Sequence, residues 1–259
     1  MSRELSFVER ANTTENAAAR ALFLLMAEKK SNLCLAADLT QKSEILRLAD
    51  RAGPSICLLK THVDIIDDFD WPFIEELQKL ARKHHFLLFE DRKFADIGHT
   101  SLLQYRGGIY RIAEWAHFIN AHTLPGPGII AGLKEAGMPL KRGLLLLAQM
   151  SSKGALFGSS YTRKTVAMAE GNKDFVAGFI ALKKVAKEPC FIHLTPGVKL
   201  TKGRDPWGQN WQTVEKVVGK DQTDVIIVGR DICNDPSPEE QAKLYQEKGW
   251  ASYEKRLRQ

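Results

Sequence analysis

The chain has 259 residues, of which 44% are hydrophobic and 26% are charged. This composition is typical of a folded globular protein and excludes a disordered, collagen-like or disulfide-dense chain. The formal net charge is +6 at pH 7, but lysine and arginine are interspersed with acidic residues, so we expect a small anionic substrate and no nucleic-acid partner.

The cysteines indicate a reducing compartment. Four are present, Cys34, Cys57, Cys190 and Cys233, and none of them has zinc-ligand spacing to another. Three lie inside apolar runs, which is typical of reduced thiols in a core. The N-terminus lacks a signal-peptide pattern, and no apolar run is long enough to cross a membrane. We therefore expect a cytoplasmic protein with no membrane partner.

Eight short apolar runs, each bounded by turn residues, recur along the chain. They are continuous rather than alternating, as expected of strands that are buried on both faces. In chain order the predicted strands are 33–37, 55–59, 86–89, 116–121, 143–148, 175–180, 190–194 and 224–228.

Segments with helical period lie between most of these runs. They are 42–52, 71–83, 100–115 and 161–171, with an additional helix at 17–30 and a last helix at 239–258. Alternating strands and helices predict a parallel α/β sheet, and eight units predict a (β/α)8 TIM barrel with an extra N-terminal helix, formed by a single domain over 1–259. The connection 180–190 is too short for a full helix, so an open doubly wound sheet remains an alternative.

Charged residues cluster where the predicted strands end, which in a parallel barrel is the active face. Asp91 and Lys93 are two apart and should share one face, with Lys60 on the neighbouring strand and Asp96 near the next helix. Opposite charges at ~4 Å attract by ~4 kcal/mol at an effective dielectric of about 20, so a Lys–Asp–Lys–Asp row would keep its ammonium groups charged. The alternative is a salt-bridge network that closes the barrel end, with Asp96 capping a helix.

The end of the eighth predicted strand indicates a phosphate site. Gly229 would let backbone amides approach an anion, and Arg230 adds a fork of donors. The connection 199–211 could fold over the same group, or it could be an ordinary surface loop.

Two other kinds of site compete with this interpretation. The segment 126–131 superficially matches a dinucleotide fingerprint, but no acidic residue closes the next predicted strand. Metal ligands could be drawn from His62, His122, His193, Asp38 and Asp91. Lys60 and Lys93 would compete with a cation for the same carboxylates, so we expect neither a metal nor a cofactor.

Taken together, seven segments resemble the orotidine 5'-monophosphate decarboxylase family, whose members stand alone or form the C-terminal half of UMP synthase. The resemblance runs almost end to end. It rests on LCLAAD at 33–38, CLLKTHVD at 57–64, FEDRKFADIG at 89–98, NAH at 120–122, MSS at 150–152, HLTPGV at 193–198 and IIVGR at 226–230.

The resemblance implies decarboxylation of orotidine 5'-monophosphate to UMP without a cofactor, with Lys93 protonating C6 inside a network of Lys60, Asp91, Lys93 and Asp96. It also implies a homodimer in which Asp96, Ile97 and Thr100 reach the partner's site. The remaining implied contacts are Asp38 and Lys60 with the ribose, Ser151 with the pyrimidine, Pro196 near the base, and Gln209, Gly229 and Arg230 with the phosphate.

Three positions depart from the family pattern. Ala36 replaces a serine near the base, Trp211 a phosphate-binding tyrosine, and Asp231 a glycine. We expect these changes to weaken affinity without changing the reaction. The rival functions are a metal-dependent epimerase or related sugar-phosphate decarboxylase on the same barrel, and a catalytically silent barrel that binds nucleotides or nucleic acid.

Overall fold

The computed structural model describes residues 3–201, 203–204, 208 and 210–258. Eight parallel strands close into a barrel, with each strand hydrogen-bonded to the next in sequence and the eighth to the first. Leu33 of the first strand pairs with Ile226 of the eighth, which excludes the open sheet and confirms the TIM barrel. The strands are Leu33–Ala36, Leu58–Thr61, Leu87–Phe94, Phe118–Ala121, Gly143–Leu147, Val176–Ile180, Ile192–Thr195 and Val225–Val228.

Helices surround the barrel and precede it. They are α1 Phe7–Ala11, α2 Ala17–Lys29, α3 Lys42–Ala52, α4 Trp71–His84, α5 Gly98–Arg106, α6 Gly128–Gly137, α7 Ser159–Glu170, α8 Arg230–Cys233 and α9 Pro238–Leu257. A separate three-stranded sheet is formed by Val198–Lys199, Gly203–Arg204 and Asn210–Thr213, and a π-helix spans Glu215–Lys220. Within the described ranges, no helix combines the length and the apolar character needed to cross a membrane.

Helix α3 shows why the spacing of apolar residues in the sequence predicted a helix. Its buried residues Ile45, Leu48, Ala49 and Ala52 recur at three- and four-residue intervals and form one apolar face. That face packs toward the barrel, while the other side of the helix carries charge. The predicted bounds for α3 are the observed ones.

The prediction for the second strand was wrong by three residues. The predicted run 55–59 begins inside a 3-10 turn, Gly53–Ser55, which contains Pro54. Ser55 therefore belongs to the turn, and hydrogen bonds to the neighbouring strands begin at Cys57, whose amide donates to the carbonyl of Leu33 at 2.9 Å. The strand itself spans Leu58–Thr61 and includes Lys60.

One predicted helix is divided in two. Within 100–115, helix α5 ends at Arg106, because Gly107 and Gly108 follow and Gly108 has a left-handed φ of 65°. A 3-10 turn at Ile112–Glu114 then leads into the fourth strand. Helices α1, α6 and α8 were not predicted, whereas the connection after the sixth strand has no helix, as expected.

Two glycines let α5 and α6 pack at very short range. A Cβ atom on Gly132 would lie 2.1 Å from the carbonyl oxygen of Gly98, and one on Gly98 would lie 2.3 Å from that of Gly128. Gly128, which belongs to the segment 126–131 that resembles a dinucleotide fingerprint, thus lies where α6 meets α5. This close approach fixes the beginning of α5, directly after Asp96 and Ile97.

A buried ionic cluster lies at the N-terminal end of the barrel strands. Asp224 accepts hydrogen bonds from Arg10 of α1 at 2.5 Å, Arg256 of α9 at 3.2 Å and the main-chain amide of His193 at 2.9 Å. Burial disfavours the carboxylate, yet Arg10 and the other donors hold the pKa of Asp224 well below its usual range. His193, a candidate metal ligand from sequence, therefore belongs to the end of the barrel opposite the cavity described next.

Candidate active site

A cavity of about 420 Å³ opens at the C-terminal ends of the barrel strands. Most of the residues selected from the sequence line it, although they come from six different strand ends. They are Asp38, Lys60, Asp91, Lys93, Ser151, Pro196, Gly229 and Arg230. This is the position expected for a small-molecule site in this fold.

Asp91 is the centre of a charged network in this cavity. One of its oxygens lies 2.7 Å from Nζ of Lys93, and the other lies 3.1 Å from Nζ of Lys60. Lys60 also contacts Asp38 at 2.8 Å, so the charges alternate along the row. Because Asp91 is 12% exposed and Lys60 only 5%, water screens their interaction weakly.

Charge pairing prevails over burial in this network. Burial alone would lower the pKa of Lys60, but Asp91 and Asp38 raise it above its ordinary value. Burial would likewise raise the pKa of Asp91, yet Lys60, His62 and Lys93 hold it far below its usual range. Both groups are charged at neutral pH, and the network has fixed charges before any ligand arrives.

Lys93 adopts a backbone conformation that regular strands do not have. Its φ is +50°, and the pairing of the third with the fourth strand shifts register between Glu90 and Phe94. The main-chain amide of Lys93 donates to the side-chain oxygen of Asn120 at 2.7 Å. The simple two-residue alternation used in the sequence prediction therefore does not describe this segment, which forms a β-bulge.

Asn120 is a site residue that the sequence analysis did not select. Its amide nitrogen donates to Asp91 at 2.6 Å, while its oxygen accepts from the amide of Lys93. One side chain on the fourth strand thus orients the carboxylate and the backbone that presents the ammonium group. Asn120 was quoted within a family segment, but no local pattern marks an asparagine in a strand as a positioning residue.

His62 also joins the network. Its Nε2 atom lies 3.3 Å from Asp91 and 3.8 Å from Asp38. The sequence analysis treated His62 as a possible metal ligand only. It lies two residues after Lys60, and the alternation of side chains along an extended chain was the signal that could have placed both on one face.

Behind the network, Glu90 is fully buried on the other side of the third strand. It accepts hydrogen bonds from the hydroxyl of Thr61 at 2.7 Å and from the amide of Val63 at 3.0 Å. Burial raises the pKa of Glu90 to about 8, against the opposing effect of these hydrogen bonds. Glu90 ties the end of the second strand, and therefore Lys60, to the third.

Residues that follow the fifth and the eighth strands line two sides of the cavity. Met150 and Ser151 follow the fifth strand on one side, and Gly229 and Arg230 follow the eighth strand on the other. A Cβ atom at Gly229 would lie 3.4 Å from Ala36, so this glycine packs directly beside the first strand.

Three selected residues that the structure describes, Asp96, Ile97 and Thr100, do not line the cavity of this single chain. Asp96 is exposed and accepts a hydrogen bond from the amide of Ile97 at 2.7 Å; Ile97 is 63% exposed, and Thr100 lies on the first turn of α5. Gln209 lies outside the described residues. The helix begins at Gly98, so Asp96 precedes its N-cap rather than forming it.

No group of three or more His, Cys, Asp or Glu residues is arranged to hold a metal ion in the described part of the chain. His122 follows the fourth strand and packs beside Phe157, with ring centroids 5.9 Å apart. Burial and the charge of Lys93 lower the pKa of His122. The oxygens of Asp91 are already engaged by two ammonium groups and an amide.

Comparison with known proteins identifies the family. Residues 31–245 match the profile of the orotidine 5'-phosphate decarboxylase/HUMPS family. The chain belongs to that family. An orotidine 5'-phosphate decarboxylase of Phycomyces blakesleeanus is 54% identical over 256 residues, which cover 98% of this chain and 96% of the relative.

Two further proteins are similar to this chain, one in sequence and one in fold. The uridine 5'-monophosphate synthase of Bos taurus is 49% identical over 98% of this chain, but the match covers only 53% of that longer protein. The crystal structure of orotidine 5'-monophosphate decarboxylase from Methanocaldococcus jannaschii, complexed with inhibitor BMP, superposes with a TM-score of 0.67. It shares 23% identity and covers 84% of this chain and 98% of its own, so it supports the shared fold.

Proposed function

We propose that this protein decarboxylates orotidine 5'-monophosphate to uridine 5'-monophosphate, the last step of de novo pyrimidine synthesis, and that it does so without a metal or cofactor. The observation that carries the proposal is the Asp91 carboxylate held between Lys60 and Lys93 in the cavity at the C-terminal ends of the strands. Family membership supports the choice of substrate, since relatives about half identical over the whole chain are orotidine 5'-phosphate decarboxylases.

The proposed reaction depends on charge placement. The bond between C6 of the pyrimidine and its carboxyl carbon breaks, CO2 departs, and the electron pair stays on C6. The ammonium group of Lys93 lies next to this developing negative charge and stabilises it in the transition state. Lys93 then donates a proton to C6, giving UMP, and recovers a proton from solvent.

The other charged groups in the proposal have positioning roles. Lys60 and Asp38, which lie 2.8 Å apart, would hold the ribose hydroxyls. Asp91 orients Lys93 and faces the substrate carboxylate. Contacts far from the reacting carbon, made by Gly229, Arg230 and Gln209 to phosphate, would supply binding energy that organises the network. Ser151 and Pro196 are assigned to the base.

The proposal also includes a homodimer with shared active sites. Asp96, Ile97 and Thr100 lie at the start of α5, outside the cavity of their own chain, and Ile97 is 63% exposed. An apolar side chain exposed beside a carboxylate fits a surface that a second copy covers. We assign these residues to the partner's site, where Asp96 would complete the Lys–Asp–Lys–Asp row.

We further propose that residues 1–259 act as one catalytic domain in the cytoplasm. All four cysteines are free thiols, in keeping with a reducing compartment.

The decisive experiment is an ultraviolet assay. Purified protein is mixed with orotidine 5'-monophosphate, with and without a chelator, and the substrate absorbance is followed. Loss of absorbance at the same rate in both samples supports the proposal. Activity that disappears with the chelator would favour a metal-dependent enzyme, and tight UMP binding without turnover would favour a silent nucleotide-binding barrel.

A further inference from the structure

A further cation, Lys199, faces the same cavity from the connection after the seventh strand. The Nζ atom of Lys199 lies 2.5 Å from a carboxylate oxygen of Asp231 and 3.9 Å from the ring centroid of Trp211. The Lys199 side chain is 21% exposed, so much of its stem is packed while its ammonium group is directed by two partners. All three residues, together with Arg230, line the cavity.

Asp231 is itself fixed from behind by the last helix. The hydroxyl of Tyr245 on α9 donates to the second carboxylate oxygen of Asp231 at 2.7 Å. Tyr245 is fully buried, and burial together with Asp231 raises the pKa of its hydroxyl, which therefore stays protonated and keeps donating. Asp231 is thus a rigid acceptor, and the position of the Lys199 ammonium group depends on it.

We propose that Lys199 is an additional phosphate-binding residue of this enzyme and that Asp231 is the positioning residue that holds its ammonium group at the cavity wall. This inference rests on the proposed function. An ammonium group has three donors, and the bond to Asp231 uses one of them. Lys199 follows the seventh strand and Arg230 the eighth, so the two cations lie at neighbouring strand ends, across the barrel from Asp91 on the third strand.

A second cavity next to the active site supports a role for Lys199 at the entrance of the active-site cavity rather than beside the reacting carbon. It measures about 430 Å³, and its walls include Lys199, Trp211, Arg230 and Asp231, which also line the active-site cavity. The ion pair therefore separates two spaces that an anionic group could enter. A nucleotide lying between Asp91 and this wall would direct its phosphate toward Lys199.

The competing explanation is that the pair only ties the loop after the seventh strand to α9. The variant Lys199→Met distinguishes the two explanations, because methionine keeps an unbranched side chain against Trp211 and removes the charge. Lys199→Arg retains the charge. Lys134→Met is a matched control, since Lys134 pairs with Asp174 at the same 2.5 Å with similar exposure and does not line the cavity.

The test measures UMP affinity by calorimetry and the steady-state constants for orotidine 5'-monophosphate. We expect Lys199→Met to raise Kd for UMP and KM for the substrate about tenfold, which corresponds to about 1.4 kcal/mol, with kcat within about twofold of wild type. Lys199→Arg should retain most of the affinity, and Lys134→Met should change neither constant. The affinity ratio of wild type to Lys199→Met should increase from pH 5 to pH 8, because the second phosphate pKa is about 6.

Wild-type Kd and KM in Lys199→Met, accompanied by a lower melting temperature, would overturn the inference and assign the pair to loop stability. That result leaves the proposed function intact, since turnover continues. Conversely, a wild-type protein that binds UMP but never consumes the substrate overturns the proposed function, while its UMP titration still tests Lys199.

Discussion

Lys93 reaches Asp91 through a left-handed backbone. Their side chains lie 2.7 Å apart although the φ angle of Lys93 is +50°, a region that costs a residue with a Cβ atom about 1–2 kcal/mol. The hydrogen bond from the amide of Lys93 to Asn120 holds this conformation. The strained backbone thus lies at the residue to which the proposal assigns proton transfer, as strain at functional sites commonly does.

Replacing Lys93 with alanine tests the proposed chemistry directly. We expect kcat to fall by about four orders of magnitude, because both transition-state stabilisation and the proton donor are lost. UMP affinity should change little, since the phosphate contacts remain. Calorimetry and the ultraviolet assay measure the two effects, and Lys79→Ala on the exposed face of α4 is the control. Substantial turnover by Lys93→Ala would contradict the mechanism.

Asn120→Ala tests the positioning role of Asn120. The change removes the donor to Asp91 and the acceptor for the amide of Lys93. We expect kcat to fall about 10- to 100-fold with KM nearly unchanged, because the displaced group acts in the transition state. A control is Asn172→Ala, whose side chain bonds only a carbonyl at the end of α7. Equal changes in kcat and KM, or a loss of folding alone, would argue for a structural role.

Glu90→Gln should change how stability depends on pH. A carboxyl group whose pKa rises on folding stabilises the fold only below its unfolded pKa, about 4.3, and loses that contribution as pH rises through its folded value. For Glu90 the folded value is about 8. Between pH 5 and pH 9, wild type should therefore lose a few kcal/mol of unfolding free energy relative to Glu90→Gln.

Urea unfolding of both proteins across this pH range measures the difference in their unfolding free energies. The readout is the change of this difference with pH, because the substitution also alters two hydrogen bonds and so shifts the difference at every pH. The exposed Glu76 of α4 provides a control substitution, Glu76→Gln. A constant difference from pH 5 to pH 9 would contradict the raised pKa, because it would mean that Glu90 is already ionised in the folded protein at pH 5.

Gly132→Ala should destabilise the contact between α5 and α6. The added methyl would lie 2.1 Å from the carbonyl oxygen of Gly98, and a backbone atom cannot move aside cheaply. We expect a loss of about 2–3 kcal/mol in the unfolding free energy and reduced activity, since the start of α5 shifts. Gly219→Ala, where no atom lies within 4 Å of the new methyl, should leave the melting temperature unchanged or slightly higher. Equal melting temperatures for the two variants would contradict this account.

Shared active sites predict complementation between two inactive proteins. Lys93→Ala and Asp96→Ala should each be inactive, but subunit exchange places wild-type Lys93 and wild-type Asp96 together in one of the two sites of each mixed dimer. Random exchange makes half of the dimers mixed, so about a quarter of wild-type activity should return. The absence of any recovery, with exchange verified by mass spectrometry, would place Asp96 outside the partner's site.

The barrel could be predicted because its strands are continuous apolar runs and its helices have clear periods, as in α3. Prediction failed where a local turn overrode the pattern: the 3-10 turn at Gly53–Ser55 delayed the second strand, and Gly107 and Gly108 ended α5 early. The charged residues of the site could be selected because they follow strand ends. Asn120 could not, because its function depends on a contact between the third and fourth strands that sequence spacing does not encode.

The buried carboxylate of Asp224 has a consequence for engineering. Arg10 and Arg256 both bind it, and the guanidinium of Arg256 lies 2.9 Å from Glu4, so the segments around α1 and the end of α9 meet beneath the barrel, on the face away from the cavity. A short peptide could join these two segments. New termini opened in an exposed helix connection would then give a circular permutant with an unaltered pocket.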